Sequence, residues 1–318
     1  MRTWAPDAEA SQLDRAALIQ VTRSSLLEVV EQAAPERQDV LRALREASDV
    51  HLFHPDFFEW YFAVRDRVGE EDEAGFAREL DRLEQVLAVV QRSLERAATH
   101  QAALQVALDL GGVQETVTVQ RANRSAQDMG GSGTRFRVLP EASPQRVEQI
   151  AAGLALLQEL WPEAHTELAQ SVQQLTLFED DTLKSFADFQ RHGSIFMRVD
   201  FLKDPVILAD YLFHEGSHVR LNTVLSVSPM FLNPSDAVYE TPLRGDPRPM
   251  FGAFHQMFVL VRIHELYQRL SRRRPEYAEK VVELRSKLES GWQVVREHAQ
   301  LTESGEAMVS SIGQVLRA

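Results

Sequence analysis

Cysteine is absent from the 318 residues. Disulfides, thiolate metal sites and cysteine nucleophiles are therefore excluded, and any metal ligands must be drawn from His, Asp and Glu. Lysine is scarce too: only Lys184, Lys203, Lys280 and Lys287 occur, a bias toward arginine that reads as genome composition. No run of about 18 apolar residues is present, so no membrane span is expected. The stretch "MRTWAPDAEASQLDR" turns charged and helical too early to hold the apolar core of a signal peptide, which makes the cytoplasm the expected compartment. Positive charge is short as well. A net charge of −13 leaves no basic stripe to neutralise phosphates, so no nucleic-acid partner is expected. A hydrophobic content of 44% is what a soluble chain needs for one large domain or two smaller ones.

Helical spacing runs from about residue 9 to about residue 100, as in "LIQVTRSSLLEVVEQ" and "LDRLEQVLAVVQRSLERA". In "HLFHPDFFEWYF", Pro55 suits a first helical turn and the aromatics after it face inward. Between 112 and 138 the alternation of "VQETVTVQ" and "RFRVL" around "DMGGSGT" predicts a hairpin or two short strands. The glycine run lacks the Gly-Lys-Ser/Thr ending of a phosphate-binding loop. Pro144 opens a helix to about Leu160, and a second helix follows Trp161-Pro162. "QQLTLFED" and "GSIFMRVD" then read as strands. Asp204-Pro205, an N-cap before a proline at the first helical position, starts the next helix. Five prolines make Ser226 to Pro249 a long loop, and "MFGAFHQMFVLVRIHELYQRL" a strongly apolar helix, with one or two more to follow. The expected fold is α+β, mainly α. Residues 1–140 form a mainly helical region and 141–318 the region that carries the chemistry, and the two can be continuous as one domain.

That chemistry centres on "FHEGSHVRLN". Residues four apart on a helix lie one above the other, so His214 and His218 present their imidazoles to one point. Glu215 stands about 100° further round, able to reach a metal-bound water but badly placed to share the same position. Val206, Ile207, Leu208, Leu212 and Phe213 on the same helix require it to be buried, where an unpaired histidine pair is costly. A catalytic metal needs a third protein ligand and open positions. The metzincin continuation fails, because Leu221 and Val224 stand where glycine and histidine belong. No Glu-x-x-x-Asp follows Glu215, so the thermolysin-like pattern is missing too. Glu240 and Glu265 remain open as ligands. His255, on the apolar helix that follows, is the stronger candidate. The site is expected to be zincin-like, built from a strand, the His-Glu-x-x-His helix and a following helix. With Zn(II) and Glu215 as general base it would be a peptidase or amidase. Three imidazoles without sulfur accept Fe(II) equally well.

The segment between the two histidine helices, "YETPLRGDPRPMFGAFH", adds a more specific signal. Leu221-Asn222 after the metal helix, then Pro242, Arg244, Asp246, Pro247, Arg248 and Pro249, then His255, resemble the HExxH motif-containing peptide-modification proteins of bacterial gene clusters for ribosomally made peptides. Leu243 departs from that pattern, which has tryptophan there. Part of the family consists of iron and 2-oxoglutarate dependent hydroxylases. The resemblance, close over residues 193–270, implies Fe(II) on His214, His218 and His255, with 2-oxoglutarate and O2 as cosubstrates. It implies hydroxylation of an unactivated side-chain carbon, a β-carbon, in a precursor peptide. Such an enzyme must neutralise the far carboxylate of 2-oxoglutarate, which a bidentate guanidinium does best; Arg248 and Arg244 are placed for it, Arg248 being the one stiffened by flanking prolines. The helical N-terminal region is then left as the substrate or leader-peptide surface. A peptide-binding protein that merely keeps a structural metal is the third expectation.

Overall fold

Apolar residues at three- and four-residue spacing dominate the sequence, and helix accordingly makes up 71% and strand 8% of the described residues. The computed structural model describes residues 3–113, 116–128, 136–241 and 247–317. The first stretch is all-helical: α1 (Ala8–Ala33), α2 (Gln38–Glu46), α3 (Asp49–Leu52), α4 (Pro55–Gly69), α5 (Glu73–Asp81) and α6 (Leu83–Leu104). Pro55 does open α4, with His54 as its cap, and Phe57, Phe58, Trp60 and Tyr61 are buried. Next come α7 (Val117–Asp128), β1 (Arg137–Val138), α8 (Pro144–Leu160), α9 (Pro162–Ser171), β2 (Gln174–Glu179), β3 (Ser185–Ala187) and β4 (Ser194–Arg198). The chain ends with α10 (Pro205–Val227), β5 (Val238–Tyr239), β6 (Arg248–Pro249), α11 (Met250–Ser271), α12 (Ala278–His298) and α13 (Glu303–Arg317).

The hairpin expected over 112–138 is corrected by α7. Thr116 caps that helix, its hydroxyl accepting from Val119 N at 3.2 Å and its carbonyl from Gln120 N. A short alternation, Val117-Thr118-Val119, thus runs into a helix once an N-cap precedes it. Among the described residues of this stretch only Arg137 and Val138 pair as strand, antiparallel to Glu179 and Phe178. The glycine tip lies outside the described residues.

Four strands form a sheet in the order β1-β2-β4-β3. β2 and β4 run parallel, and β3 closes one edge antiparallel to β4. Ile195, Phe196 and Met197 of β4 are fully buried, as a central strand covered on both faces requires. Ile195 and Met197 join the core built from α8, α9 and α10, while Phe196 packs with Phe136, Phe178 and Ala122 on the other side.

Helix α10 carries the His-Glu-x-x-His motif through the middle of these layers. Asp204 caps it, accepting from the N–H groups of Val206 and Ile207, and Pro205 occupies the first turn, as predicted. Buried polar groups fix its rotation. His192 Nε2 meets Thr223 Oγ1 at 2.9 Å, and Arg220 pairs with Asp14 of α1 at 2.7 Å. Glu167 of α9 accepts from Arg262 of α11 and lies 3.4 Å from Arg220 Nε. Gly216, inside the motif, lets α9 come close: a Cβ there would collide with Cδ1 of Leu168. Gly216→Val should therefore lower the unfolding free energy by about 2 kcal/mol. A urea titration would show this as a lower midpoint at unchanged slope.

Candidate metal centre

Helix α11 packs along α10 and brings the His255 imidazole to that of His218. The ring centroids of His214 and His218 are 5.1 Å apart, and those of His218 and His255 are 5.2 Å apart. Nδ1 of His218 lies 2.9 Å from Nδ1 of His255. His214 and His218 are half-buried, whereas His255 is 6% exposed. Burial pushes the His255 imidazole down to about 3, so the ring is neutral at physiological pH. Its Nε2 is buried with no hydrogen-bond partner among the described residues. As the side chains stand, no three His, Asp or Glu residues among those described converge as a closed metal-holding cluster; the imidazoles form a chain with His218 in the middle. Two contacting ring pairs and a desolvated, unpartnered nitrogen on His255 are the imidazole donors that the described residues bring together here.

Glu215 faces the sheet. Its Oε1 accepts from the Ser185 hydroxyl at 2.6 Å, and the Ala187 N–H donates to the same carboxylate. Burial pushes the carboxyl up to about 7, opposed by those two donors, which favour the anion. Neither Ser185 nor β3 is apparent in the sequence, where "SFA" follows a charged stretch and is too short to show alternation.

One turn before His214, Asp210 accepts from the Tyr267 hydroxyl at 2.9 Å. Burial raises its carboxyl to about 6 from an ordinary 3.8, against that hydrogen bond and Lys280. The folded chain therefore keeps a proton that the unfolded chain loses between about pH 4 and pH 6, so stability falls as pH rises through that window. Asp210→Asn removes the penalty. The variant should be about 2 kcal/mol more stable than its parent near pH 7.5, after allowance for partial exposure. Denaturant titrations should show the difference vanishing below about pH 4.

Of the other predicted residues, Arg248 sits in β6 at the mouth of α11, half-buried, its Cδ 3.4 Å from where a Cβ on Gly252 would stand. Arg244 and Leu243 lie outside the described residues. Glu240 is exposed beside β5, and Glu265 is held by Arg269 at 2.8 Å, so neither joins the histidines. Phe251 was not anticipated. Its ring lies 4.4 Å from that of His255 and is 46% exposed, forming an apolar wall at the open side of the cluster. Its position four residues before His255, on the same helix face, is the signal that would have found it.

A second group has hydrolase residue types but the wrong proton order. His54 Nε2 lies 2.8 Å from Ser93 Oγ, with Asp56 close to its Nδ1. Nδ1, however, accepts the backbone N–H of Asp56, so the ring proton is on Nε2 and goes to Ser93, whose own proton goes to Asp109. Ser93 is a donor to a buried carboxylate and His54 is no base toward it, the reverse of a catalytic triad. Compared with known proteins, the chain matches no family model and no curated sequence.

Proposed function

We propose that this protein is an Fe(II)- and 2-oxoglutarate-dependent oxygenase that hydroxylates an unactivated side-chain carbon, a β-carbon, of a ribosomally made precursor peptide. The His218–His255 contact carries the reading. His218 stands between the other two rings, 5.1 Å from that of His214 and 5.2 Å from that of His255, and its Nδ1 lies at hydrogen-bond distance from Nδ1 of His255. His214, His218 and His255 would hold the ion in a zincin-like arrangement of strand, motif helix and following helix. Iron bound there, with 2-oxoglutarate and O2, supplies the oxidation that replaces a C–H hydrogen by hydroxyl while 2-oxoglutarate leaves as succinate and CO2.

This chain's own groups would do the rest. Arg248, in β6 just before α11, takes the far carboxylate of 2-oxoglutarate, with Arg244 as the other candidate. Phe251 excludes water beside His255, and the helical region 1–140 offers the substrate surface. Glu215 orients water, oxygen or substrate from the sheet side without ligating. A zinc peptidase or amidase is the second reading, favoured by a buried Glu215 whose carboxyl sits at about 7, well suited to a general base.

Protein reconstituted with iron without oxygen, then supplied with O2, 2-oxoglutarate and peptide, should form succinate and a product about 16 Da heavier. No succinate above an enzyme-free control containing iron would reject the oxygenase. Cleavage of peptide without 2-oxoglutarate or O2, abolished by Glu215→Gln, would establish the hydrolase instead.

A further inference from the structure

A cavity of about 380 Å3, within the range of small-molecule sites, opens between α4, α6 and the start of α7, on elements that carry none of the three histidines. Its floor is charged. Arg191, fully buried, donates to Asp56 and Glu59 of α4 and to Gln174 of β2. Arg96 of α6 holds Asp109 through two N–H groups, at 3.0 and 2.7 Å. His54, beside Asp56, is neutral, because its Nδ1 accepts a backbone N–H while its Nε2 carries the ring proton toward Ser93. Three carboxylates, of Asp56, Glu59 and Asp109, therefore share two guanidiniums, of Arg96 and Arg191. Arg82 at the rim does not make up the difference, since Glu79 already pairs with it at 2.7 Å. A surplus negative charge away from bulk water is costly unless a cation meets it. The surplus has a definite place: Oδ1 of Asp56 is taken by Arg191, and Oδ2 faces Nδ1 of His54 at 3.3 Å, an acceptor against an acceptor.

An inorganic ion does not fit this cavity well. No three carboxylates or imidazoles among the described residues converge on one point, and the walls, Trp60, Ala63, Val86, Val89 and Val113, are apolar. An organic cation meets both conditions. We propose that the cavity binds a small primary amine, its ammonium on the carboxylates of Asp56 and Glu59 and its apolar body against Trp60, Val86 and Val113. The site is separate from the histidine cluster, and it does not depend on the metal or the oxygenase reading.

Three molecules with one ring system and different charge separate this reading from simple apolar binding: tryptamine is a cation, tryptophol is neutral and indoleacetate is an anion. Calorimetric titration of the whole protein in chelator should show tryptamine, or the smaller phenethylamine, binding at the cavity. Tryptophol should bind about tenfold more weakly than tryptamine, the difference expected when a hydrogen bond to a charged group loses its charge. Indoleacetate should not bind. Glu59→Gln keeps the shape of the side chain and leaves two carboxylates against two guanidiniums, so tryptamine should fall to the affinity of tryptophol; Asp56→Asn should do the same. Ala63→Trp fills the cavity and should abolish binding of both. Equal affinity of the parent for tryptamine and tryptophol, no binding of either amine, or a preference for the cation that survives both Glu59→Gln and Asp56→Asn each overturns the proposal. The first two outcomes need only the parent protein, so the test decides even where a variant does not fold.

Discussion

His255→Ala should lose about two orders of magnitude in metal affinity and all metal-dependent activity. A structural site of four ligands yields about 10–16 kcal/mol of binding, so one imidazole accounts for about 3 kcal/mol. The loss should be confined to the metal-loaded protein. In the metal-free chain His255 is buried with Nε2 unpartnered, a state that costs about 1–3 kcal/mol, and deleting the ring relieves that cost while leaving a cavity that costs a similar amount. Thermal melts in chelator should therefore nearly coincide for parent and variant. With metal at about a hundredfold excess over its dissociation constant, the parent should gain about 2.7 kcal/mol and the variant almost nothing. A variant that binds as tightly as the parent would mean that the third ligand lies elsewhere.

Arg248→Ala is expected to weaken 2-oxoglutarate binding by about a hundredfold while metal affinity stays as it was. Truncating one partner of a desolvated charge pair costs about 2–5 kcal/mol, mostly as a buried carboxylate left without its counter-charge. Arg248→Lys should recover only part of the loss, since an ammonium supplies charge but not two parallel N–H donors. Binding measured anaerobically on the loaded protein separates the two quantities. Equal 2-oxoglutarate affinity in parent and Arg248→Ala would pass the role to Arg244.

Much of the frame around these residues can be read from local chemistry. Asp204 and Pro205 announce the start of α10, Pro144 and Pro162 those of α8 and α9, and helical spacing the whole run from α1 to α6, because caps and prolines act within one turn. The placement of His255 beside His218 is legible as well, since the apolar helix that carries it packs against α10. What is hidden is whatever depends on contacts distant in sequence. Ser185 meets Glu215 across 30 residues, from a strand that exists only because β4 lies beside it. The Val117-Thr118-Val119 alternation misleads for the converse reason: Thr116 caps a helix locally, and Glu59 of α4 then takes the Thr118 N–H at 3.2 Å.

The glycine at the centre of the motif carries a consequence for sequence drift. Because Gly216 abuts Leu168, the two positions share one small volume and cannot vary independently. Chains descended from the same ancestor that carry a bulkier residue at 216 should have traded Leu168 for a smaller one. A covariation of this kind would tie the motif helix to α9, although position 168 shares no chemistry with the histidines.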